Sequence, residues 1–167
     1  QRPVFDLGHR RDDEQRAADR RRHHADRQSD AQHDAEMHRI DSKVPVEESL
    51  GALKKMQDAG KIRHVGLSEV NPKEIEQARK VLPIVSVQNE YNIADRKSDD
   101  TLAYCEKENL GFIPWSPIGG GRSSLRKANN PLDAEAKRRG VSVVQLLLAW
   151  LLQRSPVMLP IPGTSSL

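Results

Sequence analysis

A single cysteine, Cys105, excludes any intrachain disulfide and points to a reducing, cytoplasmic setting. Long apolar runs are also missing. None approaches the roughly 20 residues of a membrane span, and the first residues have no signal-peptide core, so no membrane partner is expected. The sequence opens on Gln1 rather than Met, from which a fragment or a processed chain is expected. At 167 residues it can still bury one ordinary hydrophobic core.

A strong charge of either sign is absent as well. The 27 basic and 24 acidic side chains leave a formal +3 and a pI near 9.1. Residues 1–39 hold nine Arg against nine Asp or Glu, so the whole surplus lies on residues 40–167. Three charges spread over that length are no nucleic-acid footprint.

The largest gap is local. Between Gly8 and Glu36 there is no Val, Ile, Leu, Met, Phe, Trp or Tyr, and lysine does not occur before Lys43. Such a stretch cannot bury enough apolar surface to offset the entropy lost on ordering it. Residues 1–37 are therefore expected to be a disordered or non-native segment, read in the wrong frame in the sharper version. An Arg/His-rich arm for phosphate or metal is the competing reading, favoured by Arg20-Arg21-Arg22-His23-His24. Interleaved acids and the lack of a regular His spacing anchored by Cys weigh against it.

Regular patterning begins at Ile40. Pro45 suits a first helical position, and Val46, Leu50, Leu53 and Met56 recur at helical spacing until Gly60. Strands are expected at 62–67, 84–88, 112–115 and 157–160. Helices are expected from Asn71 to Val81, from Ser98 to Asn109, from Pro131 to Arg139 and from Ser142 to Gln153, with Asn71, Ser98 and Ser142 as caps. Alternating strands and helices imply βαβ units around a parallel sheet.

Five strings carry a more specific signal: MHRID (37–41), GKIRHVGLSEV (60–70), VSVQNEYN (85–92), GFIPWSPIGGG (111–121) and LLLAWLLQRSPVMLPIPGTSS (146–166). In order and approximate spacing they resemble strands four to eight of the aldo-keto reductase family. The resemblance implies an α/β fold, here a partial (β/α)₈ TIM barrel over 38–167, because a complete barrel needs about 250 residues. It also implies NADP(H) as cofactor, a small carbonyl compound as substrate and no nucleic-acid partner. Open sheet edges and apolar residues on the inner face are expected to favour association.

The same resemblance assigns site residues. Ser68 and Gln88 would hold the nicotinamide carboxamide, and Trp115 would stack beneath the ring. Ser116, Pro117, Ile118 and Gly119 would approach the pyrophosphate. Ile161, Gly163, Thr164 and Ser165 would lie on the way to the adenosine 2′-phosphate. His38 matches the histidine that orients the substrate carbonyl. The family's Tyr general acid, its Lys and its Asp cannot be placed, since no Tyr precedes Tyr91 and no Lys precedes Lys43. Negligible turnover is therefore expected. A non-catalytic nucleotide-binding or interaction fragment stands as the alternative.

Overall fold

The computed structural model describes residues 34–41, 43–119 and 130–163. Contacts divide the chain at Asp34, and Ala35–Leu167 is one compact unit. The expected polar segment lies outside the described residues through 33. Its last residues do not match that expectation, because Asp34–His38 forms strand β1.

Helix α1 (Val46–Asp58), β2 (His64–Ser68), α2 (Pro72–Arg79), β3 (Ser86–Glu90), α3 (Asp99–Glu108) and β4 (Gly111–Trp115) follow in alternation. Two successive helices, α4 (Pro131–Arg139) and α5 (Val143–Arg154), complete the described elements. The sheet order is β1-β2-β3-β4, with β2, β3 and β4 parallel. Beyond α5 the chain returns to β4, where Phe112 donates to Val157 O and accepts from Leu159 N, both at 2.8 Å. The strand expected at 157–160 is thus a single parallel bridge, Phe112 to Met158. Together these βα units make an arc of a (β/α)₈ barrel.

Local chemistry explains most boundaries. Asn71 and Ser142 each close a capping box, with the Glu74 and Gln145 side chains accepting from the cap amide, and Pro72 occupies the first turn. Asn130 and Asp133 do the same for α4, a cap the sequence reading did not name. Asn109 and Gly140 end α3 and α4 in the left-handed conformation. Two expectations are corrected. Pro45 is the residue before the helix, not its first, and Ser98 makes no cap bond: its backbone, at φ −97° and ψ 19°, is not extended as at Asn71 and Ser142, and its hydroxyl accepts from Asn89 Nδ2 at 3.4 Å.

Strand side chains alternate between two faces. On the helix-facing side Val65, Leu67, Val87 and Phe112 are wholly buried with Leu50, Ile75, Leu102 and Cys105 from the helices. Burial, with a smaller push from Glu106, raises the Cys105 thiol to about 12, so it is an unreactive core residue. The inner face is different. It carries Glu36, His38, Ser68, Ser86 and Gln88, with Ile113 and Trp115 from β4, so the apolar inner face expected from the sequence is in fact largely polar. Gly66 permits a close approach here. A Cβ at that position would stand 2.6 Å from Ser86 Oγ on its register partner.

Tyr91, just past β3, ties sheet to helices. Its ring is buried, stacks on Trp150 at 6.1 Å and meets Phe112 edge-on at 5.7 Å, and the Arg96 guanidinium lies over both the Tyr91 and Trp150 rings. Its hydroxyl donates to Asp99 Oδ1 at 2.6 Å, which also accepts from Arg96 and pairs with Arg154. Burial first, and then the Asp99 bond, raise the Tyr91 phenol above its ordinary value of 10.0. Desolvation opposes the charge of Asp99, but the bonds from Tyr91 and Arg96 outweigh it and hold the carboxyl below 3.8.

The signs follow from linkage. A lowered Asp99 adds stability above its unfolded value, lost as pH falls through the folded one. A raised Tyr91 adds stability below pH 10.0, lost as pH climbs past the folded value. Urea midpoints recorded across pH are expected to fall at both ends. The alkaline fall should be shallower in Tyr91→Phe and the acid fall shallower in Asp99→Asn; limbs unchanged in both variants would refute this assignment.

Candidate cofactor site

Four of the residues singled out in the sequence converge at the C-terminal rim of the sheet. Ser68 and Gln88 are register partners on β2 and β3, and Glu90 pairs with Trp115 on β4. His38 closes β1, and its Nδ1 is hydrogen-bonded to Ser68 Oγ at 3.0 Å. Ser68 is buried beneath it, whereas His38 itself is exposed. A hydroxyl both donates and accepts, so Ser68 retains capacity for a second partner.

Gln88 is oriented by a residue the sequence reading passed over. Its Nε2 donates to both carboxylate oxygens of Glu36, at 2.7 and 2.8 Å. With the amide nitrogen so engaged, Gln88 offers its Oε1 as an acceptor. Glu36 lies at the end of the stretch without large apolar residues, where no strand is expected. The period of two puts it on the same face as His38, and that is the signal that could have found it.

Trp115 is half-buried, and its indole Nε1 donates to Glu69 Oε1 at 2.7 Å. The same oxygen accepts from Glu90 N at 3.1 Å, and Arg39 stands 4.0 Å from the other carboxylate oxygen. Asn89, adjacent to Gln88 but on the helix side, clamps the β2–α2 turn, accepting from Val70 N and donating to Val70 O. Lys97 donates to Glu90 Oε2 at 2.6 Å, and that bond raises its amine above the ordinary value.

The backbone at this rim is unusual. Arg39, Glu69 and Ser116 each directly follow a strand and adopt positive φ, at 62°, 55° and 56°. Non-glycine residues rarely take this conformation, and it concentrates where a binding surface is shaped. Arg39 N and Glu69 N donate sideways, each at 2.9 Å, to Ser68 O and Gln88 O of the next strand. The left-handed turn is what lets each amide reach the neighbouring strand end.

Ser116, Pro117, Ile118 and Gly119 form a tight turn in which Gly119 N donates to Ser116 O at 2.9 Å. Asn92 Nδ2 donates to the same carbonyl at 3.1 Å, and Gly119 has a φ of 74° that favours glycine. Ile161 and Gly163 are exposed and follow the Met158 bridge. Thr164 and Ser165 lie outside the described residues. Among the described residues no His, Cys, Asp or Glu cluster suits a metal ion, and no helix is long and apolar enough to cross a membrane.

Residues 33–167 match the sequence profile of the Aldo/keto reductase family. The chain belongs to that family. An uncharacterized oxidoreductase of Schizosaccharomyces pombe is 48% identical over 130 residues, covering 78% of this chain and 42% of that protein. Pyridoxine 4-dehydrogenase of Escherichia coli is 44% identical over 121 residues, covering 72% of this chain and 41% of that enzyme. The crystal structure of an aldo/keto reductase from Klebsiella pneumoniae in complex with NADP and acetate matches with a TM-score of 0.69 at 28% identity, covering 80% of this chain and 48% of that one. This aldo/keto reductase chain thus spans less than half the length of these relatives, and its sheet is part of the family's barrel.

Proposed function

We propose that this chain is the cofactor-binding portion of an NADP(H)-dependent oxidoreductase that acts on small carbonyl or alcohol compounds in a reducing, cytoplasmic setting. One observation carries the reading: Ser68, Gln88 and the half-buried Trp115 sit side by side at the C-terminal ends of adjacent strands. In (β/α)₈ barrels that end is where ligands and chemistry are found. The residues fit a nicotinamide. A hydroxyl and an amide acceptor suit a carboxamide, and an indole face offers a flat apolar platform. The Klebsiella relative bound to NADP supports the choice of cofactor.

Ser68 and Gln88 would fix the carboxamide, Trp115 would back the ring, and the Ser116–Gly119 turn would lie toward the phosphates, with Ile161, Gly163, Thr164 and Ser165 beyond. The nicotinamide supplies a hydride donor or acceptor. The chain's own contribution is orientation, with His38 at the rim available to bond a substrate oxygen. Titration with NADPH is expected to quench Trp fluorescence, and Trp115→Phe should remove most of that signal. No quenching at concentrations that saturate a complete reductase would refute the proposal.

A further inference from the structure

Glu69 directly follows β2 at the rim, and its carboxylate meets the indole N–H of Trp115. We infer that Glu69 is a positioning residue, which sets the plane of the Trp115 ring by accepting from its indole N–H. This rests on the reading that Trp115 backs a nicotinamide.

The geometry is specific. An indole has one donor and no acceptor, so a single bond from Nε1 removes the freedom of the ring to swing about its side-chain torsions. Glu69 Oε1 makes that bond at 2.7 Å and is itself held at 3.1 Å by the N–H of Glu90, the register partner of Trp115. The positive φ of Glu69 and the bond from its amide to Gln88 O fix where its side chain departs from the rim. Only 19% of the side chain is exposed, so solvent competes poorly for the carboxylate. A charged acceptor strengthens the bond relative to a neutral one. Glu69 thereby joins the ends of β2, β3 and β4, the three strands that carry Ser68, Gln88 and Trp115.

The chain has two tryptophans, which makes the test direct. In ¹⁵N-labelled protein the two indole N–H signals are assigned by loss of one in Trp115→Phe. The Trp115 signal should exchange slowly with water in the unaltered chain. Glu69→Gly removes the carboxylate without opposing the positive φ. It should bring that signal to the exchange rate of a free indole and weaken NADPH binding about tenfold, in line with one charge-assisted bond. Glu69→Gln keeps an acceptor and should restore both. The Trp150 signal, from the Tyr91 stack, serves as the folding control, and Glu69→Ala repeats the test if the glycine variant unfolds. Unchanged Trp115 exchange in a folded Glu69→Gly or Glu69→Ala chain overturns the inference. Failure of the unaltered chain to bind NADPH overturns the cofactor reading instead, and the indole signal still decides whether Glu69 holds the ring.

Discussion

Reduction of 4-nitrobenzaldehyde by NADPH, followed by loss of nicotinamide absorbance, is expected to be negligible with this 167-residue polypeptide alone. Positioned general acid catalysis is worth about 10²–10⁴-fold, and no group on the described rim can supply it in the family's manner. The aldo-keto reductase pattern uses a tyrosine whose acidity is enhanced by a lysine and an aspartate. Tyr91 is the first tyrosine in this chain, and it is buried against Trp150 and Phe112 with its hydroxyl committed to Asp99. Its phenol is shifted upward by burial, which is the wrong direction for a proton donor near neutral pH. Tyr104 lies on α3, where its hydroxyl accepts from Arg79. The rim lysine, Lys97, is bonded to Glu90. His38 alone remains, and it is exposed. Turnover at a normal enzymatic rate would overturn both this expectation and the assignment of proton-donating groups.

Tyr91→Ala should be the most destabilising single change at the sheet–helix interface. Emptying a buried aromatic site costs about 3–5 kcal/mol through lost transfer energy and the cavity left behind. Tyr91 adds a stack on Trp150, an edge contact with Phe112 and a bond to Asp99, so the upper part of that range is expected. Set against a typical total of about 5–15 kcal/mol, the loss would remove a large part of the folding free energy. Tyr91→Phe keeps both ring contacts and should cost about 1.5–3 kcal/mol, the worth of a bond to a charged group. Urea unfolding separates the two cases. Equal midpoints for Tyr91→Ala and Tyr91→Phe would mean that the ring packing contributes little and that the Asp99 bond dominates.

Periodicity located every helix and strand from α1 to α5, because each has a buried side of regular spacing and chemically marked ends. Asn71-Pro72 with Glu74, and Ser142 with Gln145, are cases where the cap is written in adjacent residues. Ser98 has the right residue type for a cap but not the backbone, which turns at ψ 19° with the hydroxyl toward Asn89, and residue type alone does not report that. β1 was underestimated for a related reason. Asp34, Ala35 and Glu36 have poor strand propensity, and pairing along the edge of β2 overrides it. At the rim, Ser68, Gln88 and Trp115 each end a largely apolar run, whereas His38 was marked by the family resemblance alone. Their orienting partners, Glu36 and Glu69, were not marked as such, since the contacts Glu36–Gln88 and Glu69–Trp115 join positions 52 and 46 residues apart. Which acid meets which donor is decided by the sheet register.

The strand order has a further consequence, for how such a chain acquires its shape. Every neighbour in the sheet is also the next strand along the chain. Closing each pairing therefore requires bringing together segments separated by one helix and its turns, on the order of 20–30 residues, and the entropy of closure grows only slowly with such lengths. A growing polypeptide can then add one βα unit at a time onto a finished edge, with each new helix covering the apolar side of the strand before it. β2, β3 and β4 can assemble in the order in which a ribosome delivers them.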